Sequence, residues 1–149
     1  MTSAQQIQED VQEFKRYHQQ HSYYLAQIKE LDDQIDELSP FQIAKLEYIY
    51  SKAERIAWHI AGFYKRKQKS YEGQAEIKQG QEYKRLKEEN QTSVDAQYGS
   101  RVTKGEMLDK AADYEGEYIS WRGIAQTYER AGNSLKDMIK AIEKEGGGQ

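Results

Sequence analysis

Apolar residues recur at alternating spacings of three and four along most of this chain, and this pattern restricts the fold more than any other feature. The pattern runs through residues 7–38, 43–71 and 107–142. Such spacing places the apolar side chains on one helix face, where they pack into a partner helix as knobs into holes. A single proline leaves long helices uninterrupted. We therefore predict an all-α fold of three long helices with heptad-like seams, elongated and oligomeric.

The seams indicate which side chains form the core or an interface between copies. A wide second seam, flanked by Ile49, Ile56 and Phe63, is expected to remain partly uncovered in a lone three-helix unit. This width favours self-association as a homo-oligomer. The seam residues that we expect to be covered are Ile43, Leu46, Tyr50, Ile60, Tyr114, Tyr118, Trp121, Tyr128, Leu135 and Ile139.

Capping signals mark where the helices begin. Ser39 and Gln42 form a capping box around Pro40, which suits the first helical position, so the first two helices are joined closely and run antiparallel. A second capping box at Thr103 and Glu106 indicates the start of the third helix. We expect one domain, 1–149, divided into helix 5–38, helix 40–72 with a weaker extension to about 89, loop 90–102, helix 104–145 and a disordered tail 146–149.

The composition excludes several classes of function. The chain has no cysteine, which removes disulfides and thiolate metal sites, and no apolar run long enough to span a membrane. His18 and His21 lie in the first seam, but no Glu-x-x-His motif accompanies them, so we read them as buried or half-buried seam residues and expect no metal or cofactor. Without a phosphate loop or nucleophile elbow, we expect no enzyme. The first residues lack the features of a signal peptide, which favours the cytoplasm.

One stretch of this acidic chain is strongly basic and is interleaved with tyrosines. Residues 64–87 hold eight Lys or Arg against three Glu, a net charge of +5 in a chain of net −3. Cations and aromatic rings together suit single-stranded nucleic acid, which offers phosphates and flat bases. The candidate nucleic-acid-binding residues are Tyr64, Lys65, Arg66, Lys67, Lys69, Tyr71, Lys78, Lys84, Arg85 and Lys87.

Three other interpretations stay open. The basic segment is also typical of a solvated helix face, and Gly73 and Gly80 each cost a helix about 1 kcal/mol there. A second alternative is a helical adaptor or inhibitor with no nucleic-acid role, for which charge reversal at Glu30, Asp32 or Asp36 matters more than changes in 65–87. A membrane-surface helix is the third, although its apolar stripe is thin.

The order and spacing of several pieces, over roughly residues 15–145, resemble the UvsY family of phage recombination mediators. The matching pieces are Lys52-Ala53-Glu54-Arg55-Ile56-Ala57 followed by Phe63-Tyr64-Lys65-Arg66-Lys67, then Asp109-Lys110-Ala111-Ala112-Asp113-Tyr114, and last Ser134-Leu135-Lys136-Asp137-Met138-Ile139-Lys140-Ala141-Ile142. The resemblance implies a non-catalytic homo-oligomer that binds single-stranded DNA. It also implies two protein partners, a RecA-like recombinase and a single-strand-binding protein, and the host cytoplasm as the location.

Overall fold

The computed structural model describes residues 4–147, and these form three long α-helices and one short 3-10 turn. Helix α1 spans Ala4–Asp32, the 3-10 turn Ile35–Glu37, α2 Pro40–Glu88 and α3 Ser93–Gly147. No strand occurs in this part of the chain. The all-α fold that the seams predict is confirmed. Helix α1 is shorter than the expected helix 5–38, because its last turns give way to the 3-10 turn.

The α1–α2 connection forms the capping box that the sequence predicts. The backbone N–H of Ser39 donates to Gln42 Oε1 at 2.9 Å, and the N–H of Gln42 donates to Ser39 Oγ at 3.3 Å. Pro40 occupies the first helical position, where its missing N–H leaves no bond unmade. Tyr17 contacts His59 and Asp32 contacts Tyr50, so α1 and α2 run antiparallel as expected.

The α2–α3 connection is much shorter than the expected loop 90–102. Asn90 has a φ of 65° and ends α2 in the left-handed region, which Asn tolerates better than most residues. The N–H groups of Asn90 and Gln91 donate to the carbonyls of Lys87 and Leu86, the pair of bonds that defines a Schellman motif. Residues 89–92 therefore suffice to reverse the chain.

Helix α3 begins eleven residues before residue 104, the start expected from the Thr103 capping box. Thr92 caps the helix instead, since its Oγ1 accepts from the N–H of Asp95 at 3.1 Å. Thr103 lies within the helix and its hydroxyl donates back to the Gly99 carbonyl. The expected loop is thus wrong. The tail prediction is wrong for Gly146 and Gly147, which belong to α3, and its last two residues lie outside the described residues.

The chain divides into two compact units that share the long helices α2 and α3. Unit 1 comprises the residues up to Ala61 and those from Ser120 onward, and unit 2 comprises Gly62–Ile119. Unit 1 therefore contains α1 with parts of α2 and α3, whereas unit 2 is a two-helix hairpin built from the remainder of α2 and α3.

Unit 1 has a core of large apolar residues contributed by all three helices. Leu46 and Ile60 are fully buried, and Ile28 of α1 is 4% exposed. The flanking residues Ile49 and Ile56 are buried as well, so this chain itself covers most of the wide second seam. The argument for self-association from an uncovered seam is therefore wrong. One contiguous cluster of buried residues in unit 1 consists of Ile28, Ile43, Leu46, Ile49, Tyr50, Ala53, Ala57, Ala125, Tyr128 and Leu135.

A polar and aromatic network crosses the core of unit 1. His21 Nε2 and the Tyr128 hydroxyl share a buried hydrogen bond of 2.7 Å, and the Tyr50 hydroxyl donates to Asp32 Oδ2 at 2.8 Å. Trp121 packs edge-on against His21 at 4.9 Å between ring centroids. Burial, with a smaller contribution from neighbouring His18, lowers the pKa of His21 below its ordinary value. The expectation of buried or half-buried seam histidines is thus confirmed, because His21 is buried and His18 is half-buried.

Unit 2 buries mostly small side chains, together with the larger Leu86. Ala75, Ala96 and Ala111 are nearly fully buried, together with Gln68 and Ser100. Side chains this small allow two helices to approach closely. The buried row of α2 passes through Gln68 rather than through Lys67, which the periodicity assigns to the seam but which is half-buried. Of the expected seam residues, Tyr114 and Tyr118 lie here and are half-buried, whereas Trp121 and Ile139 are half-buried in unit 1.

Candidate nucleic-acid interface

All ten candidate residues of the basic segment lie on α2 within unit 2, but they point in different directions. Because successive helical residues turn by about 100°, Lys65, Arg66 and Lys67 diverge around the axis. Lys65 Nζ lies over the Tyr118 ring at 4.8 Å, Lys67 Nζ lies over Phe63 at 5.5 Å, and Arg66 is exposed. The run of cations therefore does not form one continuous stripe.

Tyr64 and Tyr71 pack inside the hairpin. Tyr71 stacks on Tyr114 of α3 with 5.5 Å between ring centroids and 13° between planes, and Lys110 Nζ lies 5.7 Å from the centre of the Tyr71 ring. Tyr64 contacts Tyr114 at 6.2 Å, and burial raises its pKa. Contacts within the hairpin therefore cover part of each of these rings. A pocket of about 530 Å³ lies beside Tyr71 and Tyr114. The candidate interface depends mainly on its cations.

Several of the cations have acidic partners on the same helix. Lys69 lies 3.5 Å from Glu72, and Arg85 pairs with both Glu82 and Glu89. The guanidinium of Arg85 lowers the pKa of the Glu82 carboxyl through a hydrogen bond. Exposed pairs of this kind are worth at most about 1 kcal/mol, so a phosphate can displace the carboxylate.

Three exposed cations of the basic segment make neither an ion pair nor a side-chain hydrogen bond in the described part of the chain: Arg66, Lys78 and Lys84. Lys87 is exposed too, but its Nζ donates to the Gln91 carbonyl and to Ser93 Oγ. A phosphate that binds Arg66, Lys78 or Lys84 displaces only water. These three side chains are the most available part of the basic segment.

The charge of unit 2 as a whole differs from that of its basic segment. Residues 93–119 of α3 carry six acids and three bases, and the net charge over 62–119 is zero. One of these bases, Lys104, pairs with Glu76 of α2 at 2.8 Å. The net charge of −3 on these α3 residues, together with Glu88 and Glu89, therefore offsets the +5 that the segment carries in isolation.

A second aromatic and cationic surface lies in unit 1, and it is absent from the candidate residues that the sequence suggests. Two adjoining surface pockets, of about 600 and 540 Å³, lie between α1 and α2 and share Tyr23 and Tyr24. The signal that reveals it is a polar stripe at spacings of three and four, offset from the apolar seam. That stripe on α2 consists of Lys45, Tyr48, Lys52, Arg55 and His59.

No group of three or more His, Asp or Glu side chains in 4–147 is arranged to hold a metal ion. Within the same range, none of the helices combines the length and the apolar character needed to cross a bilayer.

Comparisons with known proteins add no relative. No protein-family model, no curated protein and no solved structure matches the chain. The functional argument therefore rests on the residues themselves and on the resemblance in their order and spacing.

Proposed function

We propose that this protein binds single-stranded DNA without a catalytic step and acts as a recombination mediator. The observation that carries the proposal is the exposure of cations on α2: Arg66, Lys78 and Lys84 are exposed and make no ion pair in the described part of the chain. A flexible single strand can follow cations that point in several directions, whereas a rigid duplex cannot bend as readily around one helix.

The neutral charge of unit 2 favours weak contacts that depend on repetition. One copy offers few phosphate contacts, and linking several weak contacts on one strand raises the effective concentration of each. We propose that the protein acts as a homo-oligomer for this reason. Exposed apolar residues, among them Ile7, Val11 and Ile119, which are 39–50% exposed, supply surface for contacts between copies.

The mediator role adds protein partners to this proposal. A strand bound over α2 is distorted and less available to a single-strand-binding protein, which would let a RecA-like recombinase replace it. Strand exchange by such a recombinase, on DNA already covered by single-strand-binding protein, measures this step. Stimulation by the wild-type chain is the expected result, and no stimulation despite tight DNA binding would limit the function to binding alone.

The DNA-binding step is tested by the salt dependence of binding to a fluorescent oligothymidine. The variant Arg66→Ala, Lys78→Ala and Lys84→Ala removes three exposed cations. Removing one phosphate-binding cation lowers the log–log salt slope by about 0.7, so the slope of the triple variant should fall by about 2. An unchanged salt slope in the triple variant would mean that these cations form a solvated helix face and do not contact DNA.

The matched control removes the same charge elsewhere. Lys29, Arg130 and Lys140 are exposed cations outside the basic segment. Their triple Ala variant should bind nearly as the wild type does. Equal weakening by both variants points to net charge rather than a site, and absence of salt-dependent binding in the wild type rejects the proposal in favour of the helical adaptor.

A further inference from the structure

The groove between α1 and α2 of unit 1 exposes aromatic rings that the core does not use. Tyr23 is 61% exposed and Tyr48 is 60% exposed, whereas Tyr50, on the same helix as Tyr48, is buried. Exposed rings of this size contribute little to folding, since most of their apolar area stays in water. We define the aromatic groove by its lining residues Tyr17, Tyr23, Tyr24, Lys45, Tyr48, Lys52, Arg55 and His59.

The rings of the groove are already arranged as flat surfaces. Tyr17 and His59 stack with 4.8 Å between centroids and 4° between planes, so one helix braces the ring of the other. Tyr23 and Tyr24 meet edge to face at 5.2 Å. The rings are ordered without a ligand, so less conformational entropy is lost when a ligand binds.

Cations line the α2 side of the same groove. Lys52 Nζ lies 5.2 Å from the centre of the Tyr48 ring. Lys45 lies seven residues before Lys52 and Arg55 three residues after it, so all three share one face of α2. None of these three cations makes an ion pair in the described part of the chain. Glu30 is the one carboxylate among the lining residues, so positive charge prevails.

Amide and hydroxyl groups complete the lining from the α1 side. Gln19, Gln20 and Gln27 present groups that both donate and accept hydrogen bonds. The Tyr17 hydroxyl donates to Glu13 Oε1 at 3.2 Å, and burial together with this bond raises the pKa of Tyr17. Its phenol therefore stays neutral beside a polyanion.

We infer that the aromatic groove is a base-stacking site for single-stranded nucleic acid. Bases stack on the rings of Tyr23, Tyr48 and the Tyr17–His59 pair, while Lys45, Lys52 and Arg55 contact phosphates. The stripe from Lys45 to His59 extends about 21 Å along α2, enough for several nucleotides. This inference rests on the proposed function and adds a second site to it. The aromatic groove contacts the bases, whereas the cations of α2 in unit 2 contact only the phosphate backbone.

The test separates stacking from charge by comparing two strands of equal charge. An oligothymidine of about twelve nucleotides and an abasic strand of the same length carry the same phosphates. The wild type should bind the oligothymidine at least about ten-fold more tightly, because each stacked base contributes on its own. The variant Tyr23→Leu and Tyr48→Leu should lose most of that preference while it binds the abasic strand as before.

A tyrosine elsewhere serves as the control, and a cross-link gives the position. Tyr98→Leu removes a ring that is 70% exposed on α3 and should leave the preference unchanged. A strand that carries 5-iododeoxyuridine should cross-link on irradiation to the peptides containing Tyr23 or Tyr48.

The outcomes distinguish this inference from the proposed function. Binding that ignores the bases, or cross-links confined to 62–119, overturns the stacking site and leaves the DNA-binding proposal standing. Absence of binding to either strand overturns both. A change in oligomeric mass in the Tyr23→Leu and Tyr48→Leu variant, with an unchanged base preference, would assign the groove to contact between copies and overturn the inference.

Discussion

Unit 1 and unit 2 are built from parts of the same long helices, yet different kinds of side chain hold them together. Unit 1 buries Leu46 and Ile60 completely between three helices, whereas unit 2 buries Ala75, Ala96 and Ala111 between two. Large side chains bury more apolar area per residue, at about 25 cal/mol per Å², so unit 1 gains more stability from packing. Small side chains instead allow close contact between helices, which makes unit 2 sensitive to any increase in volume.

This difference determines what each unit can expose. A three-helix core supports aromatic rings on its surface without depending on them, as Tyr23 and Tyr48 illustrate. A two-helix hairpin has little core, so it recruits the rings of Tyr64, Tyr71 and Tyr114 into its own packing. The four changes below test this comparison, in order of decreasing effect.

Deleting volume from unit 1 should have the largest effect. Leu46 is 0% exposed. We expect Leu46→Ala to lower the free energy of unfolding by about 3 kcal/mol, because the variant buries less apolar area and leaves a cavity behind. Urea unfolding followed by circular dichroism measures this, with Ile77→Ala, at a site 60% exposed in unit 2, as the control. A similar effect from both variants would refute the difference in packing.

Adding volume to unit 2 should have the next largest effect. Ala75 is 1% exposed and faces the α3 side of the hairpin, so Ala75→Leu forces the helices apart at a cost of about 2 kcal/mol. Hydrogen exchange should show the loosening in 62–119. Gln74→Leu, at an exposed neighbouring position, is the matched control and should leave exchange unchanged. Unchanged hydrogen exchange in Ala75→Leu would mean that the two helices of the hairpin are not closely packed at this position.

Acid should weaken unit 1 through His21. The folded-state pKa of His21 lies below 6.5 because the ring is buried. The unfolded chain therefore binds the proton first, and stability falls as the pH drops through 6.5 towards the folded-state pKa. His21→Gln should flatten this part of the curve in urea titrations at several pH values, whereas His59→Gln, at an exposed position, should not. An unaltered curve in His21→Gln would place the pH dependence elsewhere.

Glycine-to-alanine substitutions in unit 2 should give the smallest effects, and Gly73→Ala and Gly99→Ala should change the stability by different amounts. A Cβ at Gly73 meets nothing within 4 Å, so Gly73→Ala should stabilise the helix by about 1 kcal/mol. A Cβ at Gly99 falls 2.6 Å from Leu86 Cδ1, so Gly99→Ala forces that buried side chain to move and loses part or all of the gain. Thermal unfolding of both variants measures the difference in stability. An equal increase in stability would show that the Leu86 side chain can move aside without cost.

The sequence predicts the helices well and the α2–α3 connection poorly. The capping box at Ser39 and Gln42 is local, so the residues themselves reveal it. The start of α3 is not a local feature. Residues 93–102 are mostly polar, and they become helical by burying Ala96 and Ser100 across the hairpin. The Thr103 capping box is a false signal, since its hydroxyl meets the Gly99 carbonyl in a continuous helix.

The candidate site, like the fold, is predicted only in part by the sequence. The presence of cations in 64–87 follows from the sequence, but their availability depends on neighbours across the hairpin. Tyr71 meets Tyr114 and Lys65 meets Tyr118 only because the two helices pair in one register. The aromatic groove is also a product of pairing, since Tyr17 and His59 lie 42 positions apart in the sequence.

The sequence by itself determined the helical fold class, the seams and the place of excess positive charge, because periodicity, capping and charge are properties of neighbouring residues. Only the tertiary structure decided which tyrosines are packed, which cations remain exposed and where a groove opens. Those outcomes depend on the side chains that an antiparallel partner brings within a few ångströms, and helix pairing sets that geometry between residues far apart in the chain.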